Sequence, residues 1–175
     1  MAILDVFSSS DSKRAKNARG TSEVDDMDIL DKLKQEHDAV KELLKKLVDS
    51  EKATERTALV KKIKAALVPH VRAEEKVVYD AILGQRDKDS KIDGNEGYLE
   101  HAHADMALKK LGSIRPASSP EFTAAAKVLK ELVEHHVKEE ESNVWRDVRK
   151  AFDSDARIAM NRAFEAAKKK VRIPS

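Results

Sequence analysis

Two segments of the sequence repeat a pattern of histidine and glutamate that can bind metal ions. The segment His70–Tyr79 (HVRAEEKVVY) aligns without gaps with His136–Trp145 (HVKEEESNVW). Upstream of these segments, His37 and His101 also match each other, and each is followed by leucine seven and ten positions later. This repeat predicts two similar helical hairpins.

Each repeated segment carries a histidine and a glutamate four residues apart, His70 with Glu74 and His136 with Glu140. Residues four apart lie on one face of an α-helix, so the imidazole and the carboxylate can reach the same ion. Burying such side chains without partners is costly, and a bound cation compensates for that cost. The predicted metal ligands are the four repeated histidines and the two glutamates: His37, His70, Glu74, His101, His136 and Glu140.

The absence of cysteine narrows the kind of metal site. It excludes thiolate sites, iron–sulfur clusters and disulfides. Nitrogen and oxygen ligands suit iron, manganese or zinc, and the residue types alone do not decide among them. Six ligands are more than one structural zinc normally takes, whereas two ions bridged by Glu74 and Glu140 would use all six.

The composition predicts an all-α protein of one domain. Charged residues make up 38% of the 175 residues and aromatic residues 4%, a balance that favours long helices. The net charge of 34 − 32 = +2 is too small to indicate nucleic-acid binding. No apolar run approaches the roughly 20 residues of a membrane span, and the N-terminus lacks the features of a secretory signal. We expect a cytoplasmic protein without nucleic-acid or membrane partners, while its oligomeric state stays open.

Apolar periodicity predicts an up-down four-helix bundle built from the two hairpins. The first helix follows Asp28 as its N-cap. The second runs over about residues 53–83, with Val77 and Ala81 facing inward beyond the ligand glutamate. The fourth begins at Pro120 with Ser119 as its N-cap.

The remaining parts of the chain are predicted from composition and amphipathicity. The third helix is expected to start near Asn95 or Glu96, because the segment before it (GQRDKDSKIDGNEG) is rich in glycine, aspartate and serine. A short fifth helix over about residues 154–170 is expected to pack on one end of the bundle through Ile158, Ala163 and Ala167. Residues 1 to 26 are predicted to be a low-order tail ahead of a bundle formed by residues 27–175.

Taken in order, these motifs resemble the hemerythrin-like family of HHE cation-binding domains. The resemblance rests on the histidines of EHDAVKELLKKL and LEHAHADMALKKL and on the segments HVRAEE and HHVKEEE, and it covers about residues 27–150. It implies an oxo- and carboxylate-bridged di-iron centre that meets dioxygen, peroxide or nitric oxide. In that centre His37 and His70 would bind one iron, His101 and His136 the other, and both glutamates would bridge.

The chain departs from the hemerythrin pattern at one ligand. Hemerythrins carry a second histidine one turn from the first on the third helix, whereas here those positions are Gly97 and Asp105. Either Asp105 takes that place, or each iron keeps a position open to solvent. The two histidines without a counterpart in the other half, His103 and His135, are expected to be solvated.

These observations predict a non-haem di-iron protein that binds or reacts with dioxygen or a related small oxidant. The alternative is an iron buffer or sensor without turnover. The sequence does not decide whether the protein is an enzyme. Tyr79 and Trp145, at matching positions after the ligand glutamates, are expected to serve mainly in packing.

Overall fold

The computed structural model describes residues 26–173, and this part of the chain contains helices and no β-strand. Its helices form five continuous rods, two of which include a π-helical turn. The rods are α1 (Ile29–Asp49); α2 (Ala53–Glu74), a first π turn (Glu75–Tyr79) and α3 (Asp80–Leu83); α4 (Lys88–Ser113); α5 (Pro120–Glu139), a second π turn (Glu140–Val144) and α6 (Trp145–Ala151); and α7 (Ser154–Lys168). The all-α prediction is confirmed for the described residues.

The four long rods contact one another in a ring around two buried apolar clusters. Helix α1 packs against α2 and α5, and α4 packs against α5 and α2. His37 lies in sequence between Leu33, which belongs to one cluster, and Val40, which belongs to the other. The predicted ligands therefore occupy the boundary between two apolar layers.

Side-chain caps define where the first and fourth helices begin. The Asp28 carboxylate accepts a hydrogen bond from the backbone N–H of Leu30 at 2.9 Å. The Ser119 hydroxyl accepts one from the N–H of Phe122 at 3.1 Å. Each bond satisfies a backbone donor that has no partner within the helix, and both predicted N-caps are confirmed.

The third rod, α4, begins at Lys88, well before the predicted start near Asn95. Two of the glycines that suggested a loop, Gly94 and Gly97, lie inside the helix, where another segment comes close. A Cβ atom at Gly94 would lie 3.2 Å from a methyl carbon of Leu83. These two glycines permit close packing. The predicted loop is confirmed for residues 84–87 and is wrong from Lys88 onward.

The inward side chains after the first ligand glutamate are not those predicted. A π turn closes its hydrogen bonds over five residues, so it shifts the buried stripe by one position relative to an α-helix. Val78 and Ile82 are fully buried, whereas the predicted Val77 and Ala81 are only partly buried. The α-helical period predicts the rod and misses this shift.

The last helix, α7, packs along α1, α2 and the first π turn. Phe164 and Asn161, three residues apart, are its buried side chains, and Ile158 and Ala167 flank them. Ala163 is exposed, because it lies about 100° around the helix from Phe164. The predicted contact through Ala163 is wrong.

Two predictions concern other parts of the chain. The predicted low-order tail over residues 1–26 lies outside the described residues except for Asp26. Within residues 26–173, we find no helix with the length and apolar character needed to cross a membrane.

Candidate metal centre

The six predicted ligands meet in one buried cluster. The four histidines are 1–7% exposed and the two glutamates at most 1%. The rings of His37 and His70 lie 5.1 Å apart, and those of His101 and His136 lie 4.6 Å apart. The internal repeat thus places two pairs of imidazoles beside two carboxylates.

Each carboxylate lies between histidines from different hairpins. Glu74 Oε2 lies 3.4 Å from Nε2 of His70 and 3.4 Å from Nε2 of His101. Glu140 Oε2 lies 3.2 Å from Nε2 of His37 and 3.6 Å from Nε2 of His136. Each carboxylate is therefore within reach of histidines from both hairpins.

The donor atoms of five of the six residues fall into two groups that share Glu74, and Glu140 belongs to neither group. One group contains His37, His70 and Glu74, the other contains Glu74, His101 and His136, and within each group the donor atoms lie within 4.8 Å of one another. Four buried atoms of the cluster have no hydrogen-bond partner: His37 Nε2, both carboxylate oxygens of Glu74, and Glu140 Oε2. Buried polar atoms are rarely left so, and a cation bound among them would satisfy them. The residues therefore fit a metal centre.

Four outer glutamates hold the other ring nitrogen of each histidine. The Nδ1 atoms lie 2.8–3.2 Å from carboxylate oxygens, pairing His37 with Glu141, His70 with Glu36, His101 with Glu75 and His136 with Glu100. An ionised carboxylate only accepts hydrogen bonds, so each Nδ1 carries the proton. The Nε2 atoms, which face the cluster, are then available as metal ligands.

Each of the two π turns ends at or beside an aromatic residue that packs against a ligand histidine. In the second turn the backbone N–H of Trp145 donates to the carbonyl of Glu140, five residues earlier, and its indole Nε1 donates to the Glu140 carboxylate at 3.4 Å. The indole also stacks on His37 at 6.1 Å. Tyr79 holds the matching position beside His101, with ring centroids 5.2 Å apart. The π geometry thus places both aromatic side chains against ligand histidines.

The position of the missing hemerythrin histidine is filled by Tyr79. A Cβ atom at Gly97 would lie 2.6–2.8 Å from three atoms of the Tyr79 ring and hydroxyl. Tyr79 is fully buried, and its hydroxyl has no hydrogen-bond partner. Asp105, the other candidate, pairs with Arg72 instead and belongs to neither donor group.

Burial and nearby charges oppose each other in setting the pKa values of the cluster. Burial disfavours a charged imidazole, but the Glu140 carboxylate outweighs it and raises the pKa of His37 to about 10. Against the same cost of burial, the nearby Glu74 raises the pKa of His101 to about 9. Burial disfavours the charged form of Glu74, yet His70 holds the pKa of that carboxyl well below its usual range. Without metal, protons on the histidines balance the buried carboxylates.

The histidines without a counterpart lie outside the cluster. His103 is exposed, and His135, with a 63% exposed side chain, only approaches Glu100 at 3.4 Å. The choice of His101 over His103 as the inward residue therefore agrees with the structure. The outer glutamates Glu36 and Glu100 are the functional candidates that sequence reasoning missed.

An apolar cavity adjoins the imidazoles on the side of the core. It is lined by the four ligand histidines together with core side chains such as Val40, Leu67 and Val133. Its volume is about 20 Å³, counted as space for the centre of a water-sized molecule, which is enough for one such molecule. A small uncharged ligand fits beside the donor atoms.

Comparison of the sequence with known proteins identifies its family. The family model of the hemerythrin HHE cation-binding domain matches residues 28–146, more than half of the chain. A protein named DNA nickase, from Nostoc sp. (strain PCC 7120 / SAG 25.82 / UTEX 2576), is 29% identical over 150 residues, covering 86% of this chain and 42% of that protein. This chain thus spans less than half of that relative's length, and no solved structure matches. The chain belongs to the hemerythrin HHE cation-binding family.

Proposed function

We propose that the protein is a non-haem di-iron protein that binds or reacts with dioxygen or a related small oxidant such as peroxide or nitric oxide. The observation that carries this proposal is the convergence of imidazole nitrogens and carboxylate oxygens in a buried cluster, where four of these atoms have no hydrogen-bond partner. The proposed ligands are the six residues predicted from the repeat: His37, His70, Glu74, His101, His136 and Glu140.

In this proposal His37 and His70 hold one ion and His101 and His136 hold the other. Glu74 and Glu140 lie between the two pairs, with each carboxylate within 3.6 Å of a histidine from either hairpin. The ring of contacts among α1, α2, α4 and α5 supports the up-down four-helix arrangement that the proposal assumes.

The surrounding residues suit a reaction with a small uncharged molecule. Bound iron would supply the redox chemistry. The outer glutamates fix the orientation of each imidazole, and the apolar cavity offers space for one water-sized molecule beside the imidazoles. The exclusion of water by Val40, Leu67 and Val133 would protect a reactive centre.

The optical spectrum of the iron-loaded protein tests the proposal. Anaerobically reduced protein is exposed to air, and in parallel to peroxide and nitric oxide, and the gas is then removed. A band that appears and then vanishes means reversible binding, whereas a lasting band with consumption of the oxidant means reduction. If iron stays bound and none of the three oxidants changes the spectrum, the proposal is wrong and the iron buffer or sensor is favoured.

Metal stoichiometry in two histidine variants tests the ligand set. His101→Ala should lose at least one of the two irons per chain, because His101 is buried between Glu74 and His136. His103→Ala is the matched control, since His103 lies two residues away on the same helix and is exposed. Equal iron content in the two variants would contradict the assignment.

The proposal does not extend nickase activity to this chain. That activity is named for a relative of which this chain covers 42%, at 29% identity. The buried cluster does not by itself indicate a nuclease, and a net charge of +2 is too small to indicate binding of nucleic acid.

A further inference from the structure

The two halves of the metal cluster repeat each other in sequence but differ in what covers them. Helix α7 lies on the first half, where Phe164 packs edge-on against His70 with ring centroids 5.7 Å apart. Lys168 and Lys32 neutralise Glu36, the outer glutamate of His70. The matching residue of the second half is Glu100, which directly precedes His101 as Glu36 precedes His37. Helix α7 packs on α1 and α2 rather than over Glu100.

Beside Glu100 a cavity opens to the surface between α4 and the second π turn. Its walls carry five carboxylates: Asp93, Glu96, Glu100, Glu139 and Glu140. We call the first four the acidic mouth. Glu96 is exposed, the other three are partly buried, and Glu140 at the inner end is 1% exposed. The carboxylates therefore form a continuous series from solvent to a proposed ligand.

The inner wall of this cavity holds a polar atom without a partner. Tyr79 lines it with a side chain that is 0% exposed and a hydroxyl that makes no hydrogen bond. His136 and Glu140 line the same space. The cavity volume is about 10 Å³, roughly one water-sized molecule. An ion that enters must exchange water for side-chain oxygens.

The charges around the acidic mouth are suited to a cation. No lysine or arginine is among the described residues that line it. Arg146 reaches only the rim, 3.2 Å from Asp93. Burial raises the pKa of Asp93, and the carboxylates of Asp147 and Glu96 add to the rise against the opposing effect of Arg146. By contrast, the outer glutamates Glu36, Glu75 and Glu141 each pair with a lysine or arginine.

From these observations we infer that the acidic mouth is the route by which divalent cations enter the metal centre. The inference rests on the proposed function, because it requires the cluster to bind metal. A negative cleft concentrates cations and speeds their association. Entry then proceeds from exposed Glu96 through the partly buried carboxylates to Glu140 and His136. Because helix α7 covers the first half of the cluster, an ion bound there would enter through the second half.

The rate of metal uptake tests the route separately from metal binding itself. Metal-free protein is mixed with Co²⁺, which avoids oxidation, and the fluorescence of Trp145 is followed by stopped flow. Trp145 is the only tryptophan of the chain and contacts both His37 and Glu140, so it reports arrival of the ion. The equilibrium stoichiometry is measured in the same samples.

The test variant is Glu96→Gln with Glu139→Gln, neither of which is a proposed ligand. We expect its association rate at low salt to fall about three- to tenfold and to depend less on salt, because part of the attracting field is lost. The final stoichiometry should be unchanged. The control, Glu42→Gln with Glu131→Gln, removes the same charge from exposed positions outside the acidic mouth and should keep the wild-type rate.

Three results would overturn the inference. One is a test variant that takes up metal at the wild-type rate and reaches full loading, a result that would refute the route but not the proposed function. Another is an equal slowing in the control variant, which would assign the effect to net charge alone. If wild-type protein takes up no metal at equilibrium, the proposed function fails as well. The single variant Glu96→Lys, at an exposed position, changes the charge of the acidic mouth by the same two units and should slow uptake to a similar degree, which repeats the test.

Discussion

Replacing Gly97 with alanine should destabilise the metal-free protein, although alanine is the better helix former. The new Cβ atom would lie 2.6 Å from Cζ, 2.7 Å from Cε2 and 2.8 Å from the hydroxyl oxygen of Tyr79, well inside the roughly 3.5–4.0 Å of favourable carbon contacts. Tyr79 has little room to retreat, because it is fully buried and its ring packs 5.2 Å from that of His101 and 5.6 Å from that of Tyr98.

The expected magnitude is the difference between two terms. Replacing glycine by alanine within a helix stabilises by about 0.5–1 kcal/mol. Overpacking a core costs about 1–3 kcal/mol. Because three atoms are contacted at once, we expect a cost near the upper end and a net loss of about 1–2 kcal/mol in the free energy of unfolding.

Gly112→Ala is the matched control on the same helix. A Cβ atom there would meet no atom within 4 Å, so only the helix term remains and the variant should gain about 0.5–1 kcal/mol. Both variants are compared with wild type by urea denaturation in the presence of a chelator. If Gly97→Ala is as stable as Gly112→Ala, Tyr79 does not occupy this space. In a Tyr79→Leu background the penalty at Gly97 should shrink, because the contacted ring atoms are gone.

Two further predictions concern the protons and the outer glutamates. The pKa values of His37 and His101 are about 10 and 9 in the folded protein and near 6.5 in the unfolded chain. Their contribution to the stability of the metal-free protein is therefore complete below pH 6.5 and is lost as pH rises through 9 and 10. Urea denaturation at pH 6, 8 and 10 should show a falling free energy of unfolding, and a rise would contradict the proposed balance between histidine protons and buried carboxylates. Metal loading should strengthen over the same range, because the ion displaces these protons. Separately, Glu36→Gln and Glu100→Gln should each weaken metal affinity by about 10- to 100-fold. The affinity is measured by competition with a chelator, with Glu42→Gln as the control. Wild-type affinity in both variants would show that these side chains do not orient the ligand histidines.

The internal repeat made the buried cluster of histidines and glutamates predictable from sequence. It selected the inward histidines and correctly left His103 and His135 outside. The same alignment also matches Glu36 with Glu100 and Glu75 with Glu141, so the four outer glutamates could have been found by extending the comparison one position beyond the ligands.

The π turns could not be found in this way. Nothing in the residue types of Glu75–Tyr79 marks a turn of five residues, and an α-helical period places Val77 inward where the structure buries Val78. The start of α4 was missed for a different reason. Gly94 suggested a loop, but it is needed because Leu83 of the neighbouring rod approaches within 3.2 Å of its missing Cβ atom.

The charges of the buried glutamates, the histidines and the outer glutamates suit the fold both with and without a bound metal ion. Neutral imidazoles leave the two buried glutamates with a charge of −2. The outer glutamates add further negative charge, which lysine and arginine offset at Glu36, Glu75 and Glu141. Without metal, protons on histidines such as His37 supply the missing positive charge. Metal ions bound to the same imidazole nitrogens would replace those protons, and we expect the helices to stay in place. Loading should therefore release protons rather than trigger folding, and a measured proton release with an unchanged helical content would be the direct evidence.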